Sequence, residues 1–94
     1  MAQGFLVHGE RDHVGVAVRD LKAGDTVIGV YQQSLKEVRV TLREDVPLGH
    51  KVALADRRPG DPVLKYEEVI GVATQPIAVG AHVHVHNIKS VRWG

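Results

Sequence analysis

A seven-residue pattern, apolar-x-x-Gly-x-x-Val, recurs along this chain and limits what it can fold into. It reads Leu21-Lys22-Ala23-Gly24-Asp25-Thr26-Val27, returns as Val46-Pro47-Leu48-Gly49-His50-Lys51-Val52, and returns again as Ile77-Ala78-Val79-Gly80-Ala81-His82-Val83. A degenerate copy, Arg57-Arg58-Pro59-Gly60-Asp61-Pro62-Val63, lacks the first apolar residue. The physical reading is a turn that feeds a strand. The first apolar side chain anchors the turn in the core, glycine accepts a positive φ, and the valine opens the next buried face. The spacing between copies is irregular, so this is a recurring local device and not a solenoid repeat.

Between these turns the chain alternates with period two. Val14, Val16 and Val18 alternate with Gly15, Ala17 and Arg19, and Val38, Val40 and Leu42 alternate with Arg39, Thr41 and Arg43. Val83 and Val85 alternate with His82, His84 and His86. Each run places one side-chain set on one strand face. No stretch keeps apolar residues at the i, i+3, i+4, i+7 spacing of an amphipathic helix. A single helical turn at Ser34–Glu37 is the exception, and it reads equally well as a hairpin loop. Strands are predicted near 4–8, 13–19, 26–31, 37–43, 50–54, 62–66, 69–74 and 82–88. The fold class is therefore all-β: a small barrel-like set of folded-over hairpins in one domain, residues 1–94.

Composition narrows the function. With no cysteine, disulfides and thiolate metal sites are excluded. A net charge of +1, with both signs scattered, leaves no basic stripe for nucleic acid. No apolar run approaches the ~20 residues that span a bilayer. Nor does the N-terminus read as a signal peptide, so the expected location is cytoplasmic. Neither a phosphate-binding Gly-x-x-x-x-Gly-Lys-Ser/Thr loop nor a Gly-x-Ser-x-Gly elbow is present.

Six histidines in 94 residues are many, and three of them fall in His82-Val83-His84-Val85-His86-Asn87. On an extended strand these three imidazoles share one side, spaced by ~6.5–7 Å, while Val83 and Val85 face the core. Such a face serves as a set of divalent-cation ligands, as donors to an anion, as proton carriers near neutral pH, or merely as a solvated surface. Gly49-His50-Lys51 is a second candidate, at a turn-to-strand junction. There glycine permits close backbone approach while His50 and Lys51 offer donors to a carboxylate or hydroxyl; the alternative is a tight turn with two exposed polar residues. Lys65-Tyr66 is expected on a strand, with Lys65 able to reach an anion and Tyr66 packed on the core. Arg57-Arg58 reads as a solvated loop, and His8 and His13 read as structural or surface residues. No acidic cluster accompanies the histidines, so a self-contained active site is hard to assemble.

Three segments together carry a resemblance that covers nearly the whole chain. They are Val40 through Leu54, with Gly49-His50-Lys51 at its turn; Val63-Leu64-Lys65-Tyr66 with Ile70-Gly71; and His82 through Lys89. In this order they resemble the N-terminal region of altronate and galactarate dehydratases and the small subunit of sulfolactate sulfo-lyases. The resemblance implies the SAF fold, a β-clip of bent hairpins. It also implies a lyase that removes water or sulfite from a 2-hydroxy acid. His50 and His86 are expected to be catalytic, and Gly49, Lys51, Lys65 and Asn87 to bind substrate. His84 and His86 are expected to ligate a metal, with His82 the less characteristic position. The implied cofactor is a divalent metal, iron or manganese, held mainly by a large catalytic subunit. The implied partners are that subunit and a small acidic substrate, with no nucleic acid or membrane. Because the chain stops at Trp93-Gly94, the large subunit is expected on a separate polypeptide. A non-catalytic module that binds a sugar acid or metal is the alternative.

Overall fold

The computed structural model describes residues 3–90. All its regular elements are strands: β1 (Gln3–Val7), β2 (Val14–Ala17), β3 (Thr26–Tyr31), β4 (Glu37–Thr41), β5 (Lys51–Ala53), β6 (Pro62–Lys65), β7 (Glu68–Ala73), β8 (His82–Val83) and β9 (Ile88–Ser90). This is the all-β class expected from the strand pattern, and it agrees with the β-clip that the resemblance implies. No helix of the described residues is long and apolar enough to cross a membrane.

The four glycine turns build the frame. In each, the residue after glycine donates its N–H to the carbonyl three positions back: Asp25 to Lys22, His50 to Pro47, Asp61 to Arg58 and Ala81 to Ala78. Gly24, Gly49, Gly60 and Gly80 hold the third turn position with φ between 84° and 92°. This is the type II turn, which needs a positive φ there and favours proline just before, as Pro59 supplies. Each turn also grips a strand end. The glycine N–H and the next carbonyl bond one residue reciprocally at 2.7–2.9 Å: Leu42, Ala17, Ala73 and Ala53 in chain order of the turns. The closing valines Val27, Val52, Val63 and Val83 are each at most 2% exposed. Burying a valine side chain stabilises by roughly 1.5 kcal/mol.

The turns pair through their first residues. Leu21 bridges Val46, and Arg57 bridges Ile77. Aspartates placed just before these residues brace the partner turn: Asp20 accepts from the Leu48 N–H, Asp45 from Ala23, and Asp56 from Val79. The fourth such contact is ruled out chemically, because Pro59 has no N–H and Pro76 stands where the aspartate would be. Arg57, polar where the pattern calls for an apolar residue, donates instead to the Asp56 and Pro62 carbonyls.

One sheet orders its strands β4-β3-β1-β2-β5-β8, and a second orders them β6-β7-β9. All neighbours are antiparallel except β1 and β3. Phe5, Val7, Leu21, Leu42, Val46 and Val52 fill the first core. A second core joins Val14 and Ala53 of the first sheet to Val63 and Ala73 of the second, with Ile77, Ala81 and Val83. Residues 32–36 form the hairpin loop between β3 and β4, where the Leu35 N–H donates to the Tyr31 carbonyl and Leu35 has φ 62°.

Two expectations are corrected. The single strand predicted over 82–88 is broken: β8 ends at Val83, a turn occupies 84–87, and β9 starts at Ile88. Val83 is 1% exposed as expected, but Val85 is 81% exposed at the turn tip rather than facing the core. The cause is Asn87. Its Oδ1 accepts from the His84 N–H and its Nδ2 donates to the His82 carbonyl, so a side chain satisfies backbone groups that a strand ladder would otherwise use. Tyr66, expected to pack on the core, is 53% exposed and sits in the β6–β7 turn with φ 56°.

Candidate functional site

The β5–β8 register assembles the histidines. Lys51 pairs with Val83, and Val52 with His82. Extending this antiparallel register by one residue sets His50 opposite His84, and period two keeps His82 and His84 on the same side. The His50 and His84 rings stack with centroids 4.3 Å apart, while His50 and His82 lie at 5.1 Å. His50 Nδ1 is 2.9 Å from His82 Nε2. One ligating nitrogen from each of His50, His82 and His84 falls within 4.8 Å of the others.

The predicted metal pair was His84 and His86. The structure groups His84 with His50 and His82 instead. His86 is carried to the exposed side of the turn, where its carbonyl accepts from Gln75 Nε2 and its ring stays 5.3 Å from that of His82. The reason is again the Asn87-braced turn, which ends the alternation before His86. Asn87 itself is 5% exposed, and its amide braces the histidine turn through two hydrogen bonds to main chain.

Crowding sets the electrostatics. Burial, then the neighbouring charges of His50, His86 and His84, hold His82 below the ordinary imidazole value, against the opposing pull of Glu44. Partial burial, then His50, Lys51 and His86, push His84 in the same direction. The glutamate is near in structure as well, since Glu44 Oε1 accepts from the His82 N–H. Neutral imidazoles are the form that ligates a metal. Two nitrogens bound ~2.1 Å from one ion stand about 3.0 Å apart in cis-octahedral geometry and about 3.4 Å apart in tetrahedral geometry. The 2.9 Å separation of His50 and His82 fits the former. An imidazole donor set with a carboxylate close by suits a divalent first-row cation.

The other predicted residues lie beside this cluster. Gly49 is exposed and serves its turn through a positive φ of 84°. Lys51 starts β5, and burial together with the charge of Lys65 lowers its pKa. Lys65 ends β6, with Nζ 4.9 Å over the Tyr66 ring. His13 is structural, as expected, with Nδ1 accepting from the Leu64 N–H. His8 packs edge-on to Tyr66 at 4.3 Å.

Sequence reasoning missed Asp12. This carboxylate, 6% exposed, accepts from the N–H groups of Gly9, Tyr66 and Glu67. It holds the β6–β7 turn, whose two central residues both take positive φ without being glycine: Tyr66 at 56° and Glu67 at 60°. Asp12 lies more than fifty positions from the residues it organises, so no local signal marks it.

The arrangement matches a described family. A model of the altronate/galactarate dehydratase SAF domain aligns with residues 3–91. The chain belongs to this family. It is 37% identical to the (2R)-sulfolactate sulfo-lyase subunit alpha of Chromohalobacter salexigens, covering 99% of this chain and 100% of that relative. Over a shorter stretch it is 49% identical to the protein of the same name from Paracoccus pantotrophus, covering 61% of this chain and 85% of the relative. It is also 46% identical to altronate dehydratase of Escherichia coli K12, where the match takes in 84% of this chain but 15% of the enzyme. As an SAF domain, the chain thus resembles both the whole of a protein named as a subunit and a small part of a larger dehydratase.

Proposed function

We propose that this chain is the small subunit of a metal-dependent lyase acting on 2-hydroxy acids, of the sulfolactate sulfo-lyase or altronate/galactarate dehydratase type. In this reading it completes an active site whose reactive machinery lies mostly on a separate large subunit, and the cytoplasm is its setting. The observation that carries the reading is the convergence of His50, His82 and His84 within 4.8 Å at the edge strand β8 and its turn, together with the end-to-end match to a protein named as a subunit. An edge strand and an exposed turn tip are open to a partner chain.

Loss of water or sulfite from a 2-hydroxy acid requires removal of a proton beside a carboxylate and stabilisation of the charge that develops there. A divalent cation, iron or manganese, supplies that stabilisation by polarising the carboxylate or hydroxyl. His50, His82 and His84 are the residues of this chain suited to contribute to its binding. Where the ion is held by the large subunit, one proton lies across the 2.9 Å contact of His50 Nδ1 and His82 Nε2, so a proton taken up at His50 Nε2 can be matched by passing the Nδ1 proton to His82, which then carries the charge. His86, exposed on the same turn, is the second proton-transfer residue of the proposal.

The test is reconstitution. The purified chain has no lyase turnover alone. Adding the large subunit and Fe²⁺ or Mn²⁺ gives turnover, and His50→Ala or His84→Ala lowers kcat by roughly 100-fold. Robust turnover by the isolated chain, or full activity of an assembled His50→Ala/His84→Ala enzyme, refutes the reading. The histidine cluster also favours a second reading, a non-catalytic metal-binding module. Micromolar metal affinity combined with no effect on the large subunit's turnover would select it.

A further inference from the structure

Lys51 and Lys65 come from different sheets, yet both line one groove of about 340 Å³. Ile70, Val85 and Ile88 supply its apolar wall, Tyr66 flanks Lys65 there, and Ser90 adds a hydroxyl. No carboxylate of the described residues lies within 4.0 Å of either ammonium, and none lines the groove. Two like charges turned toward one partly desolvated groove without a counter-charge are unfavourable, and an anion placed between them removes that cost.

We infer that the Lys51–Lys65 groove is a subsite for an anionic oxygen group, carboxylate or sulfonate, carried on a short aliphatic chain. The two ammoniums take the oxygens, with Ser90 as a further donor. The isoleucines and Val85 cover the adjoining carbons. That lining offers few partners to a row of hydroxyls, and buried hydroxyls left unpaired are costly. The groove therefore favours a short acid over a polyhydroxylated chain. The anion site stands on its own; only its use in catalysis rests on the lyase reading.

The full chain, labelled at isoleucine methyls, is titrated with malonate, with methanesulfonate and with malonamide as a neutral control, all at constant ionic strength. The expected result is saturable shifts of the Ile70 and Ile88 methyls with one or both anions and none with the amide. Lys51→Met and Lys65→Met each weaken binding about tenfold, the loss of one charge-assisted contact, and the double variant abolishes it. The preferred anion shows whether a carboxylate or a sulfonate occupies the groove. Shifts equal with malonamide, no saturation with either anion, or binding undiminished in a folded double variant overturns the inference. Because no large subunit is present, this failure is separable from failure of reconstitution.

Discussion

His50 Nδ1 and His82 Nε2 approach to 2.9 Å although the residues are 32 positions apart. Only one proton fits between them, so the pair is stable when one ring donates and the other accepts. If both rings were charged, two N–H groups would face each other.

The same two nitrogens are spaced for a shared cation, and this separates the roles of the turn histidines. His82→Ala should lower the affinity of the full chain for Mn²⁺ or Fe²⁺ by at least roughly 100-fold, since loss of even an outer partner of a ligand costs 10–100-fold. His86→Ala, which leaves His50, His82 and His84 in place, should lower it by less than about threefold. Competition against a chromophoric chelator measures both. Equal losses would return His86 to the ligand set.

Stability should fall as pH drops below about 6.5, the ordinary imidazole value. His13, His82 and His84 are all held below that value in the fold, His13 first by burial and then by Arg57. Between the folded and unfolded values the unfolded chain binds more protons, so stability rises with pH through this window and is fully present above it. For His13 the structural cause is visible, because protonating Nδ1 removes the acceptor of the Leu64 N–H. Urea denaturation at pH 5 and pH 7.5 should show the higher midpoint at pH 7.5, with a smaller difference in His13→Ala. A midpoint unchanged by pH contradicts the assignment.

Asp12→Ala should destabilise the chain by about 3 kcal/mol or more. It orphans three backbone N–H groups and releases a turn with two non-glycine residues at positive φ, each costing of order 1 kcal/mol to hold there. Glu67→Gly should relieve part of that strain and raise the thermal midpoint slightly. Thermal melts of both variants give the two signs.

The four turn glycines should not be equally sensitive. A Cβ at Gly49 meets nothing within 4 Å, so Gly49→Ala costs about 1 kcal/mol of backbone strain. A Cβ at Gly80 would lie 2.2 Å from the Thr41 carbonyl oxygen, so Gly80→Ala must also displace β4 and should cost severalfold more. Comparable denaturation midpoints for the two variants would rule this out.

Most of the strand plan was readable in the sequence. The seven-residue pattern marked four turns, and each is a glycine turn with positive φ that closes on a buried valine. This succeeded because a type II turn and a period-two strand are decided by residues within seven positions. The predicted strand over 82–88 failed where the local rule met a competitor, since nothing in the alternation announces that the Asn87 amide takes the His84 N–H and the His82 carbonyl. Consequently the alternation puts His82, His84 and His86 on one face, whereas the fold brings His50 together with His82 and His84 and engages the Asn87 amide with main chain.

The amino-acid sequence alone determined the all-β class, the positions of the turns and the family, because these depend on short-range backbone preferences and on motifs contiguous in the chain. Tertiary structure alone decided that His50 meets His82 and His84, that Lys51 and Lys65 line one groove, and that Asp12 holds Tyr66 and Glu67. Each of these pairings depends on strand register and on how two sheets lie together, and those are settled by burial of the whole valine-rich core rather than by any one segment.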